Sequence, residues 1–159
     1  MYVLYVMGGK EMEIVKALKL RGYTAYAPRK LLKQRKNGYY YHVPQILFPG
    51  YVFLQRDKIT AEDYYMICKI DGVGNFLSRS IPLSATEEEY IKDLCNNGRD
   101  IGISKGILQN GTLKITEGFL KRYEHKIIRY SRRQHRATVE LTIYGKPYRI
   151  VCGVDIEKA

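Results

Sequence analysis

Long apolar runs are missing from this sequence. No stretch approaches the roughly 18 to 20 consecutive apolar residues that cross a bilayer. The N-terminus has no basic segment leading into an apolar core, so neither a membrane span nor a signal peptide is expected. Cysteine is scarce too. Cys68, Cys95 and Cys152 lie far apart, are odd in number and match no metal spacing. Free thiols used as small apolar residues suit a reducing cytoplasm, the expected location. Of the three histidines, His42, His125 and His135, none stands with a cysteine or carboxylate at ligand or triad spacing. There is no Gly-x-Ser-x-Gly elbow and no paired-carboxylate motif. The chain is therefore expected not to be an enzyme, with no catalytic residue, metal or cofactor.

Acidic charge is the other shortage: 27 Lys+Arg stand against 16 Asp+Glu, a net charge of +11. Such a balance favours an anionic partner, nucleic acid above membrane. Residues 1–98 carry a net +4 and residues 99–159 a net +7, so the excess concentrates toward the C-terminal end. Hydrophobic residues at 45% and charged residues at 27% are otherwise ordinary for a globular protein of one or two domains.

What the chain does contain is organised around Ile46-Leu47-Phe48-Pro49-Gly50-Tyr51-Val52-Phe53-Leu54. A Pro-Gly turn runs straight into a β-branched and aromatic strand. Tyr51 and Phe53 fall on one face and Val52 and Leu54 on the other, so both faces are apolar. A central strand in a covered sheet reads like this; so does a strand whose second face is kept for a protein partner. The motif Leu-Phe-Pro-Gly-Tyr-Val-Phe resembles the signature of the NusG family of transcription elongation factors. The resemblance implies an α+β chain: an αβ NGN domain (antiparallel sheet with helices) at residues 1–98, a linker at 99–108, and a small KOW β-barrel at 109–159. It also implies that Phe48, Tyr51 and Phe53 dock on the clamp helices of RNA polymerase.

The flanking sequence agrees with that plan. Tyr2 to Val6 is an apolar strand, Lys10 to Arg21 an amphipathic helix ended by Gly22, and Tyr23 to Ala27 a second strand stopped by Pro28. Gly8-Gly9-Lys10 lacks the spacing and the following Ser or Thr of a phosphate loop. Thr60-Ala61-Glu62-Asp63 opens a helix expected to reach Ile70, and Asp71 to Leu77 is turn and strand. Thr86 with Glu89 reads as a capping box for a helix to about Asn96. From residue 112 the pattern is all-β, with strands expected at 112–115, 126–130, 137–143 and 147–151. Gly-x-Leu-x-Ile, then Glu117-Gly118 and Ile127-Ile128, is similar to the KOW motif. Two positions depart from the family: His125 stands where a glycine is usual, and Tyr2 where tryptophan is common. The chain has no tryptophan at all.

Two basic stretches carry the nucleic-acid reading. Arg29 to Lys36 holds five positive charges and no negative one, and Asn37-Gly38 is a two-residue hairpin turn leading into Tyr39, Tyr40, Tyr41 and His42. This is either a solvated ribbon or an arm whose Lys33, Arg35 and Lys36 lie along nucleic acid. The tyrosines serve either cross-strand packing or base stacking. Between residues 121 and 136, Lys121, Arg122, Lys126, Arg129, Arg132, Arg133 and Arg136 face one acid, Glu124. Arginine binds phosphate bidentately, and so dense a patch is expected to bind nucleic acid with salt-sensitive affinity. A broad patch with no groove-entering helix favours structured RNA. Ile101-Gly102-Ile103-Ser104 is similar to the LoaP group, a specialised antiterminator branch of the family. That likeness implies an RNA hairpin in a leader transcript as partner and readthrough of terminators as outcome. Upstream or non-template DNA is a further expected contact, and the chain is expected to be monomeric, with no membrane partner. Two rivals stay open: a housekeeping NusG with a protein-binding KOW domain, and a KOW-type ribosome-associated protein.

Overall fold

The computed structural model describes residues 1–158 and divides into two units, neither of which is one continuous segment. The first comprises residues 1–28 and 48–95; the second comprises 29–47 and 96–159. The basic hairpin, expected to project from the first domain, is thus counted with the C-terminal half.

The first unit is built on a four-stranded antiparallel sheet. Its strands are β1 (Tyr2–Val6), β2 (Thr24–Tyr26), β5 (Tyr51–Gln55) and β6 (Val73–Phe76), in the order β2-β5-β1-β6. The signature strand β5 is an inner strand, and Val52, Phe53 and Leu54 are fully buried. Helix α1 (Glu11–Leu20) lays Ile14, Val15 and Leu18 onto Leu4, Val52 and Leu54. It stops where Gly22, at φ +85°, lets Tyr23 N–H turn back to the Leu18 carbonyl at 3.0 Å. Helix α2 (Ala61–Cys68) ends two residues short of the expected Ile70, and its Thr60–Asp63 capping box is complete.

Helix α3 (Ala85–Cys95) starts one residue earlier than its expected Thr86 cap. Ser84 and Glu87 form the reciprocal cap instead: the Ser84 hydroxyl accepts from Glu87 N–H at 3.2 Å, and Glu87 Oε1 accepts from Ser84. Both Ser84 and Thr86 carry the Ser/Thr-x-x-Glu spacing. The first of the two wins and leaves Thr86 inside the first turn.

The second unit contains a hairpin and a five-stranded sheet. Strands β3 (Arg29–Lys36) and β4 (Tyr39–Ile46) pair along their whole length through the Asn37-Gly38 turn, whose two residues both have positive φ. The sheet runs β8 (Thr112–Glu117), β7 (Ser104–Gln109), β11 (Lys146–Lys158), β10 (Arg136–Ile143), β9 (Ile127–Ser131). It is an open sheet among the described residues, where a closed barrel was expected. Strand β11 serves twice. Residues 146–153 run antiparallel to β10, and 154–158 run parallel to β7.

Residues 99–108, expected as a linker partly ordered through Ile101 and Ile103, are ordered at Ile101 and enter a strand at Ser104. Ile101 is buried and exchanges backbone hydrogen bonds with Arg29 and Leu31 of β3, and Ser104 to Leu108 already lie in β7. Alternation of Ile101, Ile103 and Ile107 with glycine and polar residues is too short and too interrupted to declare itself as strand. Pairing with distant segments decides it. His125 sits in a 3-10 stretch, residues 119–126, without the positive φ that would demand glycine. Gly118 meets that demand instead: at φ +100°, a Cβ there would come within 2.8 Å of the Ser104 backbone.

Candidate functional site

In the first unit the surface around the Pro49-Gly50 turn is set by Glu11. Its buried carboxylate accepts from Gly9 N–H at 2.7 Å and from Gly50 N–H at 3.2 Å, tying the helix entry to the signature turn. Val6 N–H also reaches the Gly50 carbonyl, and Met7 N–H the Gly72 carbonyl. The strand that follows does not present all three expected docking residues. Phe48 and Phe53 are 0% exposed and pack edge-to-face, with ring centroids 5.0 Å apart. They belong to the core, and a partner cannot touch them in this conformation. Alternation correctly placed Tyr51 and Phe53 on one face, but Phe48 covers that face at Phe53 and leaves it open at Tyr51.

Tyr51 is half-buried and lies 5.4 Å from Tyr5, its register partner on β1. Tyr5 is 47% exposed and Met7 58%. They border a shallow depression floored by Gly72, Val73 and Gly74. The apolar surface is therefore Tyr5, Met7 and Tyr51. Tyr5 was legible only as a member of the apolar run from Tyr2 to Val6, and Met7, just beyond it, was not singled out. Within that run Val3 and Leu4 are buried while Tyr5 is not.

A second exposed apolar surface lies on α2, where Tyr64, Tyr65 and Met66 are all at least 40% exposed. Tyr64 stacks on Phe76 at 5.3 Å and donates its hydroxyl to Asn75. At the start of the same helix, Asp63 accepts from Thr60 N–H, Tyr23 Oη and Arg56 Nε. These contacts, the Thr60 backbone N–H foremost, hold its carboxyl down to about 2.

The second unit gathers the basic residues. Its segments hold 18 Lys+Arg against 6 Asp+Glu, a net +12, whereas the first unit holds 9 against 10, a net −1. The whole positive excess of the chain sits in one unit. That segregation is hidden in the linear sequence because residues 29–47 interrupt the first unit.

The structure brings some of the expected nucleic-acid residues together. Lys33 and Arg35 of the hairpin, with Arg133 and Arg136 of the β9–β10 turn, line one cleft of about 560 Å³. Tyr40 and His135 complete its walls, their rings meeting edge-on at 5.4 Å. Asp155 is the common anchor. Its Oδ1 lies 3.2 Å from Lys33 Nζ and 3.1 Å from His135 Nδ1. The imidazole nitrogen is close enough for an ion pair when the ring is protonated, but it is out of line for a hydrogen bond. The hairpin is tied down again by Arg29, whose guanidinium makes two hydrogen bonds to Asp100 at 2.9 and 3.1 Å.

The remaining basic residues are dispersed. Arg129 borders a neighbouring depression with Arg136, and its Nε donates to Thr138 at 3.4 Å. Arg132 turns back to donate to the Ile156 carbonyl at 3.1 Å. Lys121 and Arg122 are exposed on the 3-10 stretch, and Lys126 closes it. None of these three, nor Lys36, lines the cleft. Asp155 left no signal in the sequence; Tyr40 stood only in the aromatic triplet open to packing or stacking, and His135 only as a flank of the basic patch.

Burial pushes the Cys95 and Cys152 thiols up to about 12. Among the described residues no group of His, Cys, Asp and Glu could hold a metal ion, and no helix is long and apolar enough to cross a membrane. A protein-family model described as transcription termination factor nusG matches residues 1–93, which takes in almost all of the first unit and the hairpin. No curated protein matches the chain.

Proposed function

The chain belongs to the NusG family of transcription factors, whose members bind RNA polymerase, and on that premise we propose that it is an elongation factor of the antiterminator kind, most like LoaP. The first unit docks on the polymerase clamp helices through Tyr5, Met7 and Tyr51. Bridging the cleft there keeps the clamp shut and disfavours the pausing that precedes termination. The second unit holds a hairpin of the nascent leader transcript. The protein acts by binding.

The observation that carries this reading is the charge segregation, +12 in one unit and −1 in the other. A factor that used its C-terminal half only to bind proteins would have no need of it. Phosphate contacts do need it, because each neutralised phosphate releases condensed counterions. The nearly neutral first unit, with its exposed Tyr5 and Met7, suits an apolar protein surface instead.

The test uses the full chain, purified polymerase and leader RNA. Tyr5→Ser with Tyr51→Ser is expected to abolish polymerase capture and leave RNA affinity unchanged. Arg133→Ser with Arg136→Ser is expected to do the reverse and to flatten the fall of RNA affinity with rising salt by about 1 to 2 in log–log slope. Polymerase capture by the folded double tyrosine variant would place docking elsewhere. Unchanged RNA affinity in the arginine variant, together with capture of a protein such as Rho or of ribosomes, would establish one of the rival readings.

A further inference from the structure

Resting on the RNA reading above, we propose that the cleft between the hairpin and the β9–β10 turn is a site for one unstacked nucleotide of the RNA, its base on Tyr40 and its flanking phosphates on Arg35, Arg133 and Arg136. The site belongs to neither basic stretch alone. Hairpin and turn are 96 residues apart between Tyr40 and Arg136. They meet where β3 lies on β11: Asp155 pairs with Lys33 on one side, and Val154 N–H donates to the His135 carbonyl at 3.1 Å on the other.

Three features point to a nucleotide rather than to a generic phosphate surface. The first is Tyr40. It is half exposed, it shares a face of the hairpin with Arg35, its register partner, and it meets the His135 ring edge-on. A half-exposed aromatic ring in a basic cleft is a stacking platform, worth far more to a base than to a bare phosphate. Lys33 Nζ lies over the ring, 4.8 Å from its centre, and Arg35 Cζ lies 5.9 Å away, so the ring already sits among cations that suit the phosphates on either side of a bound base.

The second is the charge left over. Asp155 engages Lys33, but among the described residues no carboxylate pairs with Arg35, Arg133 or Arg136. Three guanidinium groups line one cleft without a carboxylate partner among the described residues, and phosphate is the anion whose geometry they match. The third is size. At about 560 Å³ the cleft is in the range of single-ligand sites, roughly 300–1,000 Å³. It has no room for a duplex, whose bases are in any case stacked on one another. The nucleotide must come from a loop, bulge or end, where an unstacked base can be splayed out.

Because the chain has no tryptophan, Tyr40→Trp installs a single indole inside the cleft. The probes are an RNA stem-loop closed by four unpaired adenosines, the same stem as a blunt duplex, and AMP. Tyr65→Trp, exposed on α2 of the first unit, reports any quenching unrelated to the cleft. The stem-loop is expected to quench the cleft indole strongly, the duplex and AMP at equal concentration to leave it bright, and none of them to affect the control. Affinity of Tyr40→Ala for the stem-loop is expected to fall roughly 5- to 150-fold, the loss of one stacked base, with duplex affinity unmoved. Tyr40→Phe is expected to bind as the wild type.

Stem-loop binding that persists undiminished in Tyr40→Ala would overturn the site and leave the RNA reading intact. Equal quenching by duplex and stem-loop would overturn it as well. Quenching by AMP at stem-loop concentrations would make the ligand a free nucleotide and overturn RNA as its source. No binding of either RNA at physiological salt would remove the site and the RNA reading together.

Discussion

At the scale of single residues, the side chains that look most functional in the sequence are divided between core and surface by contacts no local pattern contains. Phe53 and Tyr51 share a strand face, yet the Phe48 ring turns one into core and not the other. Asp63 runs the opposite way. In the sequence it is one acid in a helix's first turn; in the structure it collects a backbone amide, a tyrosine hydroxyl and a guanidinium. Its carboxyl is held at about 2, below its ordinary 3.8. A folded value below the unfolded one means stability that is full above about pH 4 and drains away as pH falls through 2. Asp63→Asn is therefore expected to cost about 1 to 2 kcal/mol at pH 7, with the gap to wild type closing toward pH 2. Urea melts at several pH values measure it, and a gap independent of pH would mean the loss is one of packing.

At the scale of elements, periodicity and turn chemistry located most of what forms. The helices, the signature strand and the Asn37-Gly38 hairpin all stand within a few residues of expectation. Where expectation failed, the deciding partner is remote in sequence. β7 is ordered by the far end of β11, and Ile101 by the hairpin's main chain. The cleft was half legible. Its arginines and Tyr40 stood out as charge and aromatic clusters, but their meeting depends on β3 lying against β11, a pairing of segments far apart in the sequence.

Gly153 shows how close that meeting is. A Cβ there would lie 2.7 Å from the Leu31 carbonyl of the hairpin, so β3 rests directly on the backbone of β11. Gly153→Ala is expected to lift the hairpin, making Arg29, Lys30 and Lys33 at least several-fold faster sites for limited trypsin digestion. Cleavage at the wild-type rate would mean the strand accommodates the methyl by a small shift.

At the scale of the whole molecule, the two units differ in charge and share a common chemical trait, thiols pushed above their ordinary range by burial. Cys95 and Cys152, one in each unit, stand at about 12, and Cys68 is raised as well. A thiol so far above neutral pH offers almost no thiolate. At pH 7.5 iodoacetamide is expected to leave the native protein essentially unlabelled and to modify Cys95 and Cys152 only as their own unit opens. Mass spectrometry of partly denatured samples then gives a separate unfolding curve for each unit. Immediate labelling of Cys152 in the native state would show that the sheet beneath the hairpin breathes.

The interleaving of the units has a consequence for the order in which the protein becomes competent during its synthesis. The hairpin leaves the ribosome early, but the strand it rests on is among the last segments made. At roughly 5 to 20 residues per second, the first unit can close as soon as residue 95 has emerged. For several seconds more, the early hairpin waits without its support. On the function proposed above, a growing chain would be ready to meet polymerase before it was ready to grip a transcript, and the two would coincide only once the last strand is in place.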